Sequence, residues 1–275
     1  MSETHLLLYL ALGAFQGIVE WFPLSSSGQI SLILQHYGLD PVEALSTALW
    51  IHSGSLMAIL VRFRGEFRRM LSSVGEGRTA RTDEGRIARF LVVGTAFTAL
   101  TGIPAYVIFF EWFSENPGSG VFTLLVGVLL VITGIVLVLG SRLGFGERRA
   151  ADLNWLDGAL TGIAQGFAVL PGVSRSGFTV AALLGRKMEK ADALRLSFLL
   201  DVPAITGAMA LTYYVSIDNG AIFTLPMALA VLAAFTMSYF SMTALISFAR
   251  RIDLSKFCIL YGSLAAAAAA IQILI

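Results

Sequence analysis

Long apolar runs separated by short polar segments dominate this chain. An α-helix of about 20 residues crosses the ~30 Å hydrocarbon layer of a bilayer. The fourth of the long runs has a carboxylate, Asp201, in its interior. The pattern predicts six transmembrane helices, at about residues 42–61, 90–110, 120–141, 194–215, 221–249 and 257–275.

Two further apolar regions, 5–38 and 154–188, are interrupted near their middle by Pro, Gly and Ser residues. The interruptions fall at residues 23–28 and 171–177. Each half is too short to span a bilayer, and Pro and Gly end helices. Backbone groups freed at such a break need partners inside the protein. This pattern predicts two re-entrant helix hairpins whose tips lie within the membrane.

The chain also repeats itself at a shift of 149 residues. The repeat predicts one membrane domain built from two units, 1–149 and 150–275, each a hairpin followed by three spans. Three crossings reverse direction, so the second unit is inverted and the two tips converge near the midplane. The matching residues are Gly13, Gln16, Gly17, Ser25, Ser27 and Gly28 with Gly162, Gln165, Gly166, Ser174, Ser176 and Gly177.

Composition supports a membrane protein. Of 275 residues, 56% are hydrophobic and 13% charged, mean hydropathy is +0.78, and net charge is +1. These values lie far from those of soluble domains, so they exclude a soluble enzyme and a disordered chain, and the near-zero charge offers no attraction to nucleic acid. The single cysteine, Cys258, excludes an internal disulfide. The predicted fold is an all-α polytopic membrane protein.

The basic residues predict an orientation. Alternating crossings place all but one of the 19 Lys and Arg residues on the same side. The positive-inside rule makes that side cytoplasmic, including an Arg-rich loop at 62–89, and puts both termini outside the cytoplasm. The expected location is the plasma or inner membrane. The remaining basic residue, Arg175, lies in the second hairpin tip.

Polar side chains are concentrated at the two tips. An ionisable residue at membrane depth costs ~2.5–3.5 kcal/mol or more and is functional by default. Arg175 offers a planar fork that fits phosphate, beside backbone amides freed by Gly and Ser. The pattern therefore predicts an oxyanion cradle in a lipid-accessible cavity, although Arg175 and Glu20 could instead form a structural ion pair. The tip residues are Gln16, Glu20, Ser25, Ser26, Ser27 and Gln29 in the first region, and Ser174, Arg175, Ser176 and Thr179 in the second.

These motifs resemble a known family. Gln16-x-x-x-Glu20 followed by a Ser-rich turn resembles the first signature of the undecaprenyl-pyrophosphate phosphatase (bacitracin-resistance) family, and residues 171–179 match its second signature. The resemblance covers essentially the whole chain. It implies hydrolysis of a polyprenyl pyrophosphate to the monophosphate and phosphate, which recycles a lipid carrier for cell-envelope synthesis. It further implies assistance by Mg²⁺ or Ca²⁺, and a homodimer.

The resemblance also assigns roles. Glu20, Ser26 and Arg175 are the expected catalytic residues, with Glu20 acting on water or holding the cation. The attacking group, Ser26 or water, stays open, as does the carrier, undecaprenyl or dolichyl. A lipid-phosphate flippase with the same hairpins is the alternative function. The expected substrate-binding residues are Gln16, Ser25, Ser27, Gln29, Ser174, Ser176 and Thr179.

Three residues depart from the family pattern. Gln29 stands where the family usually has His, His52 where it has Gln, and Asp201 where it has a small residue. His52 and Asp201 are 149 positions apart, at equivalent places in the repeats. We predict that they pair, with His52 supplying the imidazole and Asp201 orienting it, either for catalysis or as a buried polar pair.

Overall fold

The computed structural model describes residues 3–22, 25–75, 82–115, 119–142, 146–215 and 224–248, with isolated positions 263 and 267. Within these ranges the chain is helical and contains no strand. Short 3₁₀ turns occur at Ala150–Asp152 and Phe167–Val169. The helices are α1 (Glu3–Val19), α2 (Ser26–His36), α3 (Pro41–Arg62), α4 (Arg64–Gly75), α5 (Asp83–Glu115), α6 (Ser119–Arg142), α7 (Trp155–Gly166), α8 (Arg175–Gly185), α9 (Lys190–Val215) and α10 (Leu225–Phe248).

Four of these helices are long and apolar enough to cross a membrane. They are α3, α5 over Asp83–Phe109, α9 over Lys190–Ala210 and α10 over Leu225–Ala244. The run at 120–141 forms α6, whose apolar stretch within the described residues is the shorter Gly120–Val136. The predicted span at 257–275 lies outside the described ranges, apart from positions 263 and 267. The protein is thus an all-α, multi-pass membrane protein.

Both predicted interruptions coincide with breaks between helices. The first separates α1 from α2 and the second separates α7 from α8. Gly172, in the second break, has a φ of +102°, a conformation that L side chains rarely adopt. A Cβ atom there would also lie 2.6 Å from the carbonyl oxygen of Val126. Both the backbone angle and the close approach therefore require glycine.

The internal repeat is visible in the helix boundaries. Helices α2 and α8 each have 11 residues and begin 149 positions apart, and α3 and α9 begin at the same separation. Contacts follow the same rule, because α1 packs on α10 while its counterpart α7 packs on α5. A Cβ on Gly17 would clash with Ala234, and one on Gly166 with Thr101. Each unit's first helix therefore lies tightly against the other unit.

The segment at 62–89 is not the loop that the sequence predicted. It contains α4 and the first turns of α5. Helix α4 is amphipathic, and Phe67 and Met70 pack on the main hydrophobic cluster. On its polar side, Glu66 accepts a hydrogen bond from Arg195 of α9, with Nη2 and Oε2 2.8 Å apart. The high Arg content of this segment obscured apolar residues that recur at helical spacing, so the sequence did not predict this helix.

A buried carboxylate, Asp157, anchors the start of the second broken region. It is fully buried and accepts hydrogen bonds from Arg148 (Nη2–Oδ2, 2.7 Å), Arg186 (Nε–Oδ1, 2.7 Å) and the Asn154 amide (2.9 Å). Burial alone would raise the pKa of Asp157, but these bonds outweigh it and the pKa is lowered. The cluster ties α7 and α8 to the segment before them.

Candidate active site

The two broken regions meet at one cavity of about 520 Å³. Its polar wall comes from both breaks, and its apolar wall from α3, α5 and α9, with small residues such as Gly102 and Ala204. The predicted convergence of the tips is therefore confirmed. The polar residues that the breaks contribute to the lining are Glu20, Ser25, Ser26, Ser27, Ser174, Arg175 and Ser176.

Three contacts join the tips directly. The Gly172 amide donates to Ser25 Oγ at 2.9 Å, and Ser176 Oγ donates to the Phe22 carbonyl at 3.2 Å. Arg175 Nη2 donates to Glu20 Oε1, which makes an ion pair between the regions. A side chain of each break thus satisfies a backbone group of the other.

Glu20 is at the centre of the polar wall. It is 6% exposed. Its Oε2 accepts hydrogen bonds from Gln16 Nε2 (2.5 Å) and Ser26 Oγ (2.7 Å), while Oε1 accepts from Arg175. A carboxylate so surrounded by donors is held in one orientation. Ser26 therefore has a proton acceptor already in hydrogen-bond contact, which is the geometry required for an activated serine nucleophile.

His52 approaches the same pair from α3. Its Nδ1 lies 2.7 Å from the Ala48 carbonyl oxygen, which can only accept, so Nδ1 carries a hydrogen. Its Nε2 lies 3.1 Å from Glu20 Oε2 and 3.4 Å from Ser26 Oγ. The imidazole is thus within reach of both the carboxylate and the hydroxyl.

A direct hydrogen bond between His52 and Asp201, one form of the predicted pairing, is not found, since neither Asp201 oxygen has a hydrogen-bond partner among the described residues. Both ring nitrogens of His52 contact other groups, and the Ala48 carbonyl, not Asp201, orients the ring. Asp201 is fully buried in α9, and its Oδ1 lies 2.8 Å from Arg175 Nε without hydrogen-bond geometry. The long side chain of Arg175 reaches Asp201 and contacts it. Equivalence in a repeat gives matching depth but does not determine the nearest neighbour.

Three of the predicted binding residues lie outside the cavity lining. Gln16 is buried behind Glu20, and Gln29 is buried on α2. Thr179 Oγ1 donates to the Arg175 carbonyl at 2.9 Å and lies 2.6 Å from Ser197 Oγ. Thr179 therefore supports the first turn of α8, the turn on which Arg175 stands.

The serines of the second break have separate duties. Ser174 caps α8, accepting from the Gly177 amide at 3.2 Å, and its Oγ lies 3.3 Å from Ser176 Oγ. Arg175 is the first residue of α8, so its guanidinium and the positive helix N-terminus belong to the same structural element. This arrangement suits an anion.

Sequence reasoning missed Gln165 as a lining residue. Its Nε2 donates to Thr98 Oγ1 at 3.1 Å. Gln165 Oε1 is buried and has no hydrogen-bond partner among the described residues. The signal was present in the repeat, since Gln165 is the counterpart of Gln16, the residue that contacts Glu20.

A comparison with protein-family models gives one match over most of the chain. The model described as "Bacitracin resistance protein BacA" covers residues 9–267. The chain belongs to the BacA family. This membership agrees with the resemblance carried by the two tip motifs, and both motifs lie inside the matched range.

The chain is also similar to proteins that carry the name undecaprenyl-diphosphatase. The chain is 39% identical over 263 residues to the undecaprenyl-diphosphatase of Methanothrix thermoacetophila, covering 95% of this chain and 96% of that protein. It is 40% identical over 263 residues to that of Haloarcula marismortui, covering 94% and 95%. It is 32% identical over 268 residues to that of Saccharolobus solfataricus, covering 95% of each.

The described residues of this BacA-family site do not by themselves form a metal centre. In the described part of the chain, no three His, Cys, Asp or Glu side chains cluster so as to hold a metal ion. Glu20 is the carboxylate among the described lining residues, and both of its oxygens already accept hydrogen bonds. Mg²⁺ and Ca²⁺ need about six or more oxygen ligands. The donor set supplies one carboxylate at most.

Proposed function

We propose that this chain hydrolyses undecaprenyl pyrophosphate, or a closely related polyprenyl pyrophosphate, to the monophosphate and inorganic phosphate, recycling the lipid carrier for envelope synthesis. BacA-family membership and the named relatives support this function. The observation that carries it is the meeting of Glu20, Ser26 and Arg175 in one cavity of a membrane protein. A base, a hydroxyl nucleophile and an anion-binding fork are the groups that phosphoryl transfer needs.

Binding begins with exchange of anions at Arg175. The terminal phosphate binds to the Nη atoms of Arg175 and to the N-terminus of α8. It thereby displaces the Glu20 carboxylate from the guanidinium. The displaced carboxylate keeps its contact with Ser26. Substrate binding therefore removes the cation that stabilises Glu20 and makes Glu20 a better proton acceptor.

The chemical step uses Ser26 as nucleophile. Its Oγ attacks the terminal phosphorus while its proton passes to Glu20, and the bond from phosphorus to the bridging oxygen breaks, releasing the polyprenyl monophosphate. Water then attacks the phosphoserine, inorganic phosphate leaves and Ser26 is restored. His52 is a second proton acceptor within reach of Ser26. Rapid quenching should trap phosphate on Ser26, and turnover without this adduct would favour direct attack by water.

The flippase alternative is not favoured. Convergent broken helices also suit a transporter, and a flippase would need the Arg175 cradle. It would have no use for Ser26 in hydrogen-bond contact with a carboxylate. Purified protein in detergent, where no second compartment exists, should release phosphate from a C55 polyprenyl pyrophosphate. Folded wild-type protein that released none would contradict the proposed function.

The proposed membrane arrangement is six spans and two re-entrant hairpins in inverted units, with basic segments in the cytoplasm and both termini outside. The helix breaks and the 149-residue spacing of helix starts support it. In a Cys258→Ser background, Tyr37→Cys should react with an impermeant thiol reagent from outside the cell and Ser72→Cys should not. The reverse labelling would contradict this orientation.

Two proposals rest on the family resemblance. Glu20, the carboxylate among the described lining residues, would hold a divalent cation beside the substrate, and the cation would neutralise phosphate charge there. Chelator should then lower phosphate release without lowering thermal stability. The second proposal is that the protein forms a homodimer. Measuring the mass of the purified protein in lipid nanodiscs tests this proposal.

A further inference from the structure

Arg175 lies between two carboxylates. Glu20 lies on the cavity side and contacts Nη2, whereas Asp201 is fully buried, outside the cavity lining, and its Oδ1 is 2.8 Å from Nε. Glu20 thus lines the cavity and Asp201 does not. The two acids therefore differ in what happens to them when a phosphate binds.

Asp201 is poorly explained as a stabilising group. Neither of its carboxylate oxygens has a hydrogen-bond partner among the described residues. A buried carboxylate loses its hydration, and an ion pair seldom recovers that loss without good hydrogen bonds. A small apolar residue here would pack in α9 without this cost. Such a costly charge points to a role at its neighbour, Arg175.

The repeat supports this interpretation. Asp201 is the counterpart of His52. His52, on α3, contacts the acidic residue of the first break, and Asp201, on α9, contacts the basic residue of the second. In each unit the first span thus supplies a side chain that contacts an ionisable residue of its own broken region.

We propose that Asp201 is a positioning residue for Arg175 in the reaction proposed above. It holds the Nε edge of the guanidinium while the Nη atoms exchange Glu20 for phosphate. Without Asp201, displacement of Glu20 would leave the Arg175 side chain without a partner on its buried side. The guanidinium would then no longer be held in the orientation that binds the phosphate. The inference rests on the proposed function.

Asp201→Asn tests this role because it keeps the shape and removes the charge. We expect kcat for phosphate release from a C55 polyprenyl pyrophosphate to fall about 10-fold or more, with KM changed by less than about 3-fold, because misalignment acts mainly in the transition state. A lower KM with unchanged kcat would mean that Asp201 only repels the substrate, and would overturn the proposal.

A second pair of variants tests the coupling to Nε. Lysine at position 175 has no group equivalent to Nε, so in Arg175→Lys protein the further change Asp201→Asn should lower kcat by less than about 2-fold. If the loss from Asp201→Asn is the same in both backgrounds, Asp201 does not act through Arg175. Should Asp201→Asn fail to fold, Asp201→Glu, which keeps the charge but shifts the carboxylate by one methylene, replaces it.

Asp157→Asn is the matched control. Asp157 is also fully buried and paired with arginines, but those arginines, Arg148 and Arg186, do not line the cavity, whereas Arg175 does. Its replacement should lower the Tm and leave kcat and KM unchanged. Asp201→Asn protein that behaves in the same way would show a purely structural role. If folded wild-type protein is inactive, the proposed function itself is contradicted. If wild-type protein is active and the Asp201→Asn variant is unaffected, only the proposed role of Asp201 is contradicted.

Discussion

The two helix breaks occupy equivalent positions in the repeat but carry side chains of different chemical character. Each leads into an 11-residue helix at equivalent positions of the repeat, yet position 26 is a serine and its counterpart, position 175, an arginine. The first break contributes an acid and a hydroxyl, and the second a cation at a helix N-terminus. Duplication supplies two facing turns, and a few changed residues make one turn a nucleophile and base and the other an anion cradle.

The breaks also differ in how their serines are used. Ser174 caps its own helix, whereas Ser25, with a φ of +53°, makes no side-chain cap and accepts from Gly172 of the other break. Ser174 thus acts within its own break, whereas the Ser25 hydroxyl acts on its partner. From the side chains that each break carries, we predict that changes in the second break alter anion binding and that changes in the first alter chemistry.

The largest expected effect is at Arg175. Arg175→Ala should lower kcat/KM by about 10³-fold or more, and Arg175→Lys by about 10²-fold, because lysine keeps the charge but loses the planar fork. Phosphate release by purified protein measures both losses, and the Tm checks folding. Near wild-type turnover in Arg175→Ala would mean that the Glu20–Arg175 pair only seals the two regions.

Changes in the first break should affect kcat more than KM. Glu20→Gln should reduce kcat by about 10²-fold, because the amide cannot accept the Ser26 proton. Its KM should change little, since phosphate binding belongs to the second break. A rise in KM as large as that of Arg175→Lys would contradict the proposal that the second break binds the phosphate and the first carries out the chemistry.

A smaller effect is expected at His52. His52→Gln should lower kcat by about 10-fold, because it removes the ring that contacts both Glu20 and Ser26. Steady-state rates of phosphate release measure this, with the Tm as control. An unchanged kcat with a lower Tm would make His52 a structural partner of Glu20 and no more.

The smallest expected effect is on stability, and it separates the two turns. Gly172→Ala should lower the free energy of unfolding by about 1–3 kcal/mol, because of its positive φ and the approach to Val126. Ser25→Gly removes strain at φ +53° but also the bond to Gly172, so its net effect should be under about 1 kcal/mol. Thermal unfolding in detergent compares them. Equal losses would contradict the local-versus-partner distinction.

Much of this arrangement could be predicted from the sequence. The helix breaks, the convergence of the tips and the nearness of Glu20 to Arg175 follow from Pro and Gly interruptions and from the 149-residue repeat. The partner of Asp201 did not follow, because the repeat gives its depth while the reach of a long side chain decides the contact. Helix α4 was missed because its arginines mask Phe67 and Met70.

The central claim is that the two breaks form one active site, and a cycle with one variant from each tests it most directly. Phosphate release should be measured for Glu20→Gln, Arg175→Lys and the double variant at matched folded protein. Glu20 accepts the Ser26 proton productively only when Arg175 aligns the phosphate, and the two side chains are in contact before substrate binds, so kcat/KM of the double variant should fall within about 3-fold of that of the less active single variant. Losses that simply multiply, to about 10⁴-fold, would show two independent groups and contradict the account.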